Sequence, residues 1–219
     1  MGKSDSKTLT KKPMPDFSRE QEVMAAGFAK VAGVDEAGRG PLAGPVVVGA
    51  VILDPVNIPV GLNDSKKLSA LRREKLFEQI ISVAQFSVVC APPAIIEKFN
   101  IRGATLWAMR NAVRSLSPNA DFTLIDGRDV PNNMPCETRA VIGGDRHSLS
   151  IAAASIIAKV VRDRMCPIMD AQCKGYSFSK HKGYGTAAHM GELKQLGVTK
   201  FHRPDFAPVA ALLPYQAAR

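Results

Sequence analysis

The segment Lys30–Leu53 reads KVAGVDEAGRGPLAGPVVVGAVIL. Val31 to Val34 is short and apolar, as a buried strand requires, and Val46 to Leu53 is almost wholly β-branched or small, which favours a second strand more strongly. Between them Gly38, Gly40, Pro41, Gly44 and Pro45 exclude a regular helix and favour turns. Two adjacent carboxylates, Asp35 and Glu36, therefore stand where a core strand meets an open turn. Acids so placed repel each other and are costly to desolvate without a positive partner, and a divalent cation is the usual one. Two other readings fit this stretch alone. The acids could be solvated strand-end residues, or Gly38-x-Gly40-x-x-Ala43 could be a dinucleotide turn. The latter should open a helix, whereas here it opens a β-branched run.

Working outward, the chain has 219 residues, 46% hydrophobic and 22% charged, which suits one sizeable globular core. Its net charge of +9, from 29 basic and 20 acidic residues, suits an anionic partner, nucleic acid before membrane. No apolar stretch approaches the length of a membrane span. Cys90, Cys136, Cys166 and Cys173 form no C-x-x-C pair, so they read as thiols in a reducing, cytoplasmic setting. Residues 1–28 are polar and rich in Lys and Ser, and read as a disordered extension.

Past Leu53 the pattern predicts a helix capped by Ser69, with an apolar stripe of Leu71, Leu76, Ile80 and Ile81. A third strand, Phe86 to Cys90, is broken by Pro92 and Pro93. Helical segments 94–99 and 104–116 follow, with Trp107 as a core anchor and Arg102, Arg110 and Arg114 on a basic face. A fourth strand, Asp121 to Ile125, ends at Asp126-Gly127, again a carboxylate where an apolar strand meets a turn. A fifth, Thr138 to Ile142, leads into Gly143-Gly144-Asp145. An alanine-rich helix is expected over 150–165, an irregular loop over 171–185, a helix from Thr186 to Gly197, and a last helix over 209–213.

The first stretch closely resembles the signature of bacterial ribonuclease HII, the type 2 ribonuclease H family. The resemblance recurs at NDSKKLS (63–69), IDG (125–127), GGD (143–145), AAASIIAKVVRD (152–163), HKGYGT (181–186) and HRPDFAPV (202–209), and covers residues 29–212. It implies an α/β ribonuclease H-like fold: a five-stranded mixed sheet flanked by helices, the first three strands antiparallel and the later two parallel to the first. It divides the chain into a catalytic core, 29–165, and a helical, substrate-contacting C-terminal portion, 166–219.

The resemblance further implies that Asp35, Glu36, Asp126 and Asp145 are catalytic and ligate two divalent ions, Mn2+ or Mg2+. Asp163 is the competing fourth acid, but it falls four residues after Lys159, where a helix-surface ion pair explains it. The main chain of Gly38, Arg39 and Gly40 would read a ribose 2′-hydroxyl, Lys66 would contact phosphate, and Tyr184 would stack on the sugar after the ribonucleotide. The implied activity is endonucleolytic hydrolysis of the RNA strand of RNA–DNA hybrids, and incision 5′ of single ribonucleotides in duplex DNA, by a monomer. A silent hybrid-binding module is the alternative. Pro204 and Asp205 depart from the family's usual pattern, which puts any contact they carry in question.

Overall fold

The computed structural model describes residues 14–213. In chain order the elements are α1 (Ser18–Ala25), β1 (Val31–Ala37), β2 (Val46–Ile52), α2 (Ala70–Val83), β3 (Gln85–Ala91), α3 (Pro93–Arg114), β4 (Phe122–Asp126), β5 (Glu137–Val141), α4 (Leu149–Gln172), α5 (Phe178–His181), α6 (Ala187–Leu196) and α7 (Ala207–Ala210). Short 3-10 turns cover Ser65–Lys67 and Gly144–Arg146. The strands form one sheet in the order β3-β2-β1-β4-β5. β1 pairs antiparallel with β2, and β2 with β3, while β4 runs parallel to β1 and to β5. This is the predicted mixed sheet.

Both faces of the sheet are covered, which is why β2 is apolar throughout rather than alternating. Ala32, Val34, Val48 and Ala50 pack with Ile96, Ala108 and Met109 of α3 on one face. Val51 packs with Leu76 and Ile80 of α2 and Ile156 and Ile157 of α4 on the other. Gly33 and Gly49 let α4 lie close. A Cβ at Gly33 would stand 2.1 Å from the Ser150 carbonyl carbon, and one at Gly49 2.7 Å from Ala154 O. Any side chain at either position would lift α4 off the sheet.

The sequence pattern and the structure differ in five places. Residues 1–13 of the expected extension lie outside the described residues, but Ser18–Ala25 is helical and docked. Val23 is buried with Val31 and Phe122, and Glu20 is buried against the start of α4. Three apolar residues, Val23, Met24 and Phe28, are enough to seat it, though a composition average hides them. In α2 the Ser69 hydroxyl caps Arg72 N–H as expected, but Leu71 is 82% exposed and Phe77 takes the inward place. The arginines of α3 do form an exposed basic face, Arg102 and Arg114 most openly, but each is tied to a neighbouring loop. Arg102 forks onto Asp129, and Arg110 and Arg114 donate to the carbonyls of Asn132 and Asn133.

The fourth difference is in the region expected to be an irregular loop. α4 continues through Pro167 to Gln172, and Phe178–His181 is a short helix with Phe178 and His181 buried. Phe178 stacks on Tyr176 and packs edge-on to His189, so aromatic contacts order a glycine-bearing stretch. Fifth, the last helix is Ala207–Ala210, and Leu212 and Leu213 beyond it are exposed. Elsewhere the pattern holds. α3 is interrupted at Asn100, whose backbone is left-handed and whose side chain accepts from Arg102 and Gly103 N–H to restart the helix. Thr186 caps α6 and Gly197 ends it.

Candidate active site

β1 and β4 are neighbours, and their register pairs Val34 with Ile125. Asp35 and Asp126 are the next residues on each strand, so they stand level on adjacent parallel strands, which lie about 4.8 Å apart. Alternation along β1 turns Asp35 to the α4 face and Glu36 to the α3 face. Asp145 arrives on the 3-10 turn after β5, and the N–H of the preceding Gly144 donates to Asp126 Oδ1 at 2.6 Å. The 3-10 turn Ser65–Lys67 brings Lys66 alongside, with Asp64 accepting Lys66 N–H.

Electrostatics show that the acids share one field. The Asp35 carboxyl is pushed well above the usual range by burial, then by the negative charges of Glu36, Asp126 and Asp145. Glu36 is also raised, by burial with Asp126 adding and Arg39 opposing. Asp145 is raised by burial, Asp64 and Asp126, against Lys66 and Arg146. Lys66 is held above its ordinary value: partial burial works against its charge, but Asp35, Asp64, Asp145 and Glu36 outweigh it. An excess of carboxylate charge that the local cations do not cancel is what a bound cation relieves.

As they stand, no three of the described His, Cys, Asp or Glu side chains close into a ligand cage. Three of the acids are engaged with neighbouring groups. Asp35 Oδ1 accepts Glu36 N–H at 2.7 Å, Asp126 accepts Gly144 N–H, and Glu36 leans on Arg39 at 3.5 Å. Each acid keeps a second oxygen, and an all-oxygen donor set fits a hard divalent ion such as Mg2+ or Mn2+. Asp163 lies elsewhere. Lys159 holds it at 2.7 Å and Arg73 at 4.0 Å, the helix-surface pairing that the spacing predicts.

Beside the acids opens a cleft of about 260 Å3 lined by Glu36, Gly38, Arg39, Gly40, Lys66 and Tyr184 together with Ser65 and Lys159. All five residues expected to bind substrate thus border one space, next to the acids. Tyr184 is 44% exposed, and a Cβ on Gly40 would meet its ring at 3.5 Å. A smaller recess on the α3 side is lined by Glu36, Arg39, Asp126, Arg128 and Arg102.

The sequence pattern did not mark four residues of this region. Asp64 and Lys159 enter the field and the cleft. Arg162 and Arg203 are buried behind the Gly38–Gly44 loop, with hydrogen bonds to its carbonyls. Nothing in a single sequence separates a buried arginine from an exposed one. Three of the four histidines also meet here. His202 Nδ1 accepts Thr199 N–H, His202 Nε2 and His189 Nε2 are 3.1 Å apart, and His189 Nδ1 is 3.0 Å from Tyr184 O. His181 stacks on His189 and bonds Glu192.

A mixed five-stranded sheet that delivers acids from adjacent strand ends to a cation-rimmed cleft defines an enzyme of the ribonuclease H class. The ribonuclease HII family model matches residues 32–209. Ribonuclease HII of Azorhizobium caulinodans is 56% identical over 195 residues, 89% of this chain and 75% of that one. The Rhodopseudomonas palustris (strain BisA53) protein is 55% identical over 197 residues, 90% and 70% of the two chains. Among solved structures, ribonuclease H2 from Pyrococcus horikoshii OT3 superposes with a TM-score of 0.71 at 27% identity, covering 84% of this chain and 97% of that one. The chain belongs to the ribonuclease HII family, and is a metal-dependent endoribonuclease acting on RNA–DNA hybrids.

Proposed function

We propose that this chain, besides cutting the RNA strand of hybrids, incises duplex DNA on the 5′ side of a single embedded ribonucleotide and leaves 3′-hydroxyl and 5′-phosphate ends. The observation that carries this reading is the shared field of Asp35, Glu36, Asp126 and Asp145 beside a cleft bordered by Gly38, Arg39, Gly40, Lys66 and Tyr184. The four acids would hold two divalent ions, Mn2+ or Mg2+. Such a pair, when bound, supplies a nucleophilic water and charge stabilisation for in-line displacement at phosphorus.

The rest falls to the protein's own groups. Lys66, exposed at the rim of the cleft and held above its ordinary value by the acids around it, offers its ammonium to a phosphate oxygen. The glycines at 38 and 40 let the main chain approach a sugar closely enough to hydrogen-bond a 2′-hydroxyl. Tyr184 presents its ring to the neighbouring sugar. The C-terminal portion, 166–219, supplies that loop and its supporting helices to the core, 29–165, through its described residues 166–213. The enzyme works as a cytoplasmic monomer, and its four free cysteines suit a reducing compartment.

The test is a duplex carrying one ribonucleotide, incubated with Mg2+ or Mn2+ and separately with excess chelator. Nicking on the 5′ side of the ribonucleotide that needs the metal supports the reading. Binding without nicking would make the chain a silent hybrid-binding module, and nicking in excess chelator would remove the metal mechanism.

A further inference from the structure

Arg203 is wholly buried, yet among the described residues no carboxylate pairs with it. Its guanidinium is spent on main-chain carbonyls of one loop. Nε donates to Gly44 O at 3.0 Å, Nη1 to Arg39 O at 2.8 Å and Nη2 to Gly38 O at 2.6 Å. Its own N–H donates to Leu42 O. Burying an arginine without a counter-charge is unfavourable unless its donors are satisfied. Here three carbonyls of Gly38–Gly44 satisfy them and are themselves fixed in turn.

The consequence is seen on the other side of the same peptides. Among the described residues, the N–H groups of Arg39 and Gly40 have no acceptor, and both residues line the cleft. With the carbonyls drawn inward, a pair of donors is left facing the space beside the acids. The loop is also tied to the tyrosine loop. Leu42 N–H donates to Gly183 O at 2.7 Å, and Arg162 Nη2 bridges Ala43 O and Lys182 O. His202, adjacent to Arg203, bridges Ala43 and reaches Tyr184 O through His189.

We propose that Arg203 is a positioning residue that sets 2′-hydroxyl recognition: by holding the carbonyls of Gly38, Arg39 and Gly44 it aims the Arg39 and Gly40 N–H groups at the ribose. The proposal rests on the reading that this segment contacts the ribonucleotide. A planar fork reaches three carbonyls at once, whereas a lysine ammonium offers three donors from a single atom and cannot span them.

The test compares binding of two otherwise identical duplexes, one with a single ribonucleotide and one all DNA, in excess chelator so that neither is cut. Wild type should prefer the ribonucleotide by about tenfold, the worth of one or two hydrogen bonds. Arg203→Lys should bind both duplexes alike, with affinity for the all-DNA duplex unchanged. A purely structural role would weaken both together, and an Arg203→Lys protein that keeps the full preference overturns the proposal. Absence of any preference in the wild type would instead sink the reading of Gly38–Gly40 on which the proposal rests.

Should Arg203→Lys not fold, the wild-type chain answers by NMR. The Arg39 and Gly40 amides should shift with the ribonucleotide duplex and not with DNA, and the Arg203 Nε–H should exchange slowly. A fast-exchanging Nε–H overturns the proposal, whereas equal amide shifts with both duplexes would sink the reading of Gly38–Gly40 on which it rests.

Discussion

Asp126 Oδ1 accepts the Gly144 N–H at 2.6 Å, so the end of β4 and the turn that carries Asp145 are fixed to one another. Two acids separated by 18 residues in sequence are thereby held in one place by a backbone bond rather than by each other. Asparagine keeps the accepting oxygen and loses the charge. Asp126→Asn should therefore retain thermal stability while losing at least about a hundredfold in kcat/KM on hybrid. Paired melting curves and single-turnover assays check both halves.

Asp145 and Asp163 separate cleanly. Asp145 shares the field of Asp126 and Lys66, whereas Asp163 is committed to Lys159 and Arg73. Asp145→Asn should cut kcat by at least about a hundredfold, and Asp163→Asn by no more than a few fold. The reverse order of effects would move the metal site.

On the proposed reading, Tyr184 would contribute a face rather than a hydroxyl. Tyr184→Phe should leave incision at a lone ribonucleotide close to wild type. Tyr184→Ala should weaken it by about 1–3 kcal/mol, the range for an aromatic platform. Equal losses in the two variants, read as kcat/KM, would point to the hydroxyl instead.

α1 is part of the folded unit. Glu20 Oε1 accepts from Ser148 Oγ, Ser150 Oγ and Ser150 N–H, which closes the first turn of α4. Glu20→Ala should cost about 2–4 kcal/mol, because it leaves those buried donors without an acceptor. Urea titration measures the loss, and an unchanged midpoint would show that α1 is dispensable.

The histidine chain predicts a pH response. His189 Nδ1–H donates to Tyr184 O, His202 Nε2–H donates to His189 Nε2, and His202 Nδ1 accepts from Thr199 N–H. The two links in which a ring nitrogen accepts need a neutral imidazole. Burial, with His189 and His181 nearby, drives His202 down to about 4, and His189 is lowered by burial first. The unfolded chain takes up these protons near the ordinary histidine value, about 6.5, before the fold does. Stability should thus be level above neutrality and fall as pH drops from about 6.5 toward 4. His202→Gln should flatten that part of the profile of melting temperature against pH.

Much of this was legible in the sequence. β1 and β2 show themselves by β-branched runs, the turn by its glycines and prolines, and the acids by standing where apolar runs stop. The convergence of Asp35 with Asp126 is not a local property, because it depends on β4 inserting beside β1. Only the family resemblance anticipated it. Helix α1 was missed because Val23 and Phe28 are diluted among charges, and Phe178–His181 because tertiary aromatic contacts order it. Arg203 stands within the HRPDFAPV stretch, but its burial gave no signal, because a basic residue ordinarily implies solvent.

The most direct measurement is a crystal structure of the protein soaked in Mn2+, with the ions located by anomalous scattering. Manganese should appear within ligand distance of Asp35, Glu36 and Asp126, with Asp145 beside it and Asp163 still on Lys159. Ions bound at Asp163 instead, or no ion among the four acids at saturating Mn2+, would contradict the shared-carboxylate site.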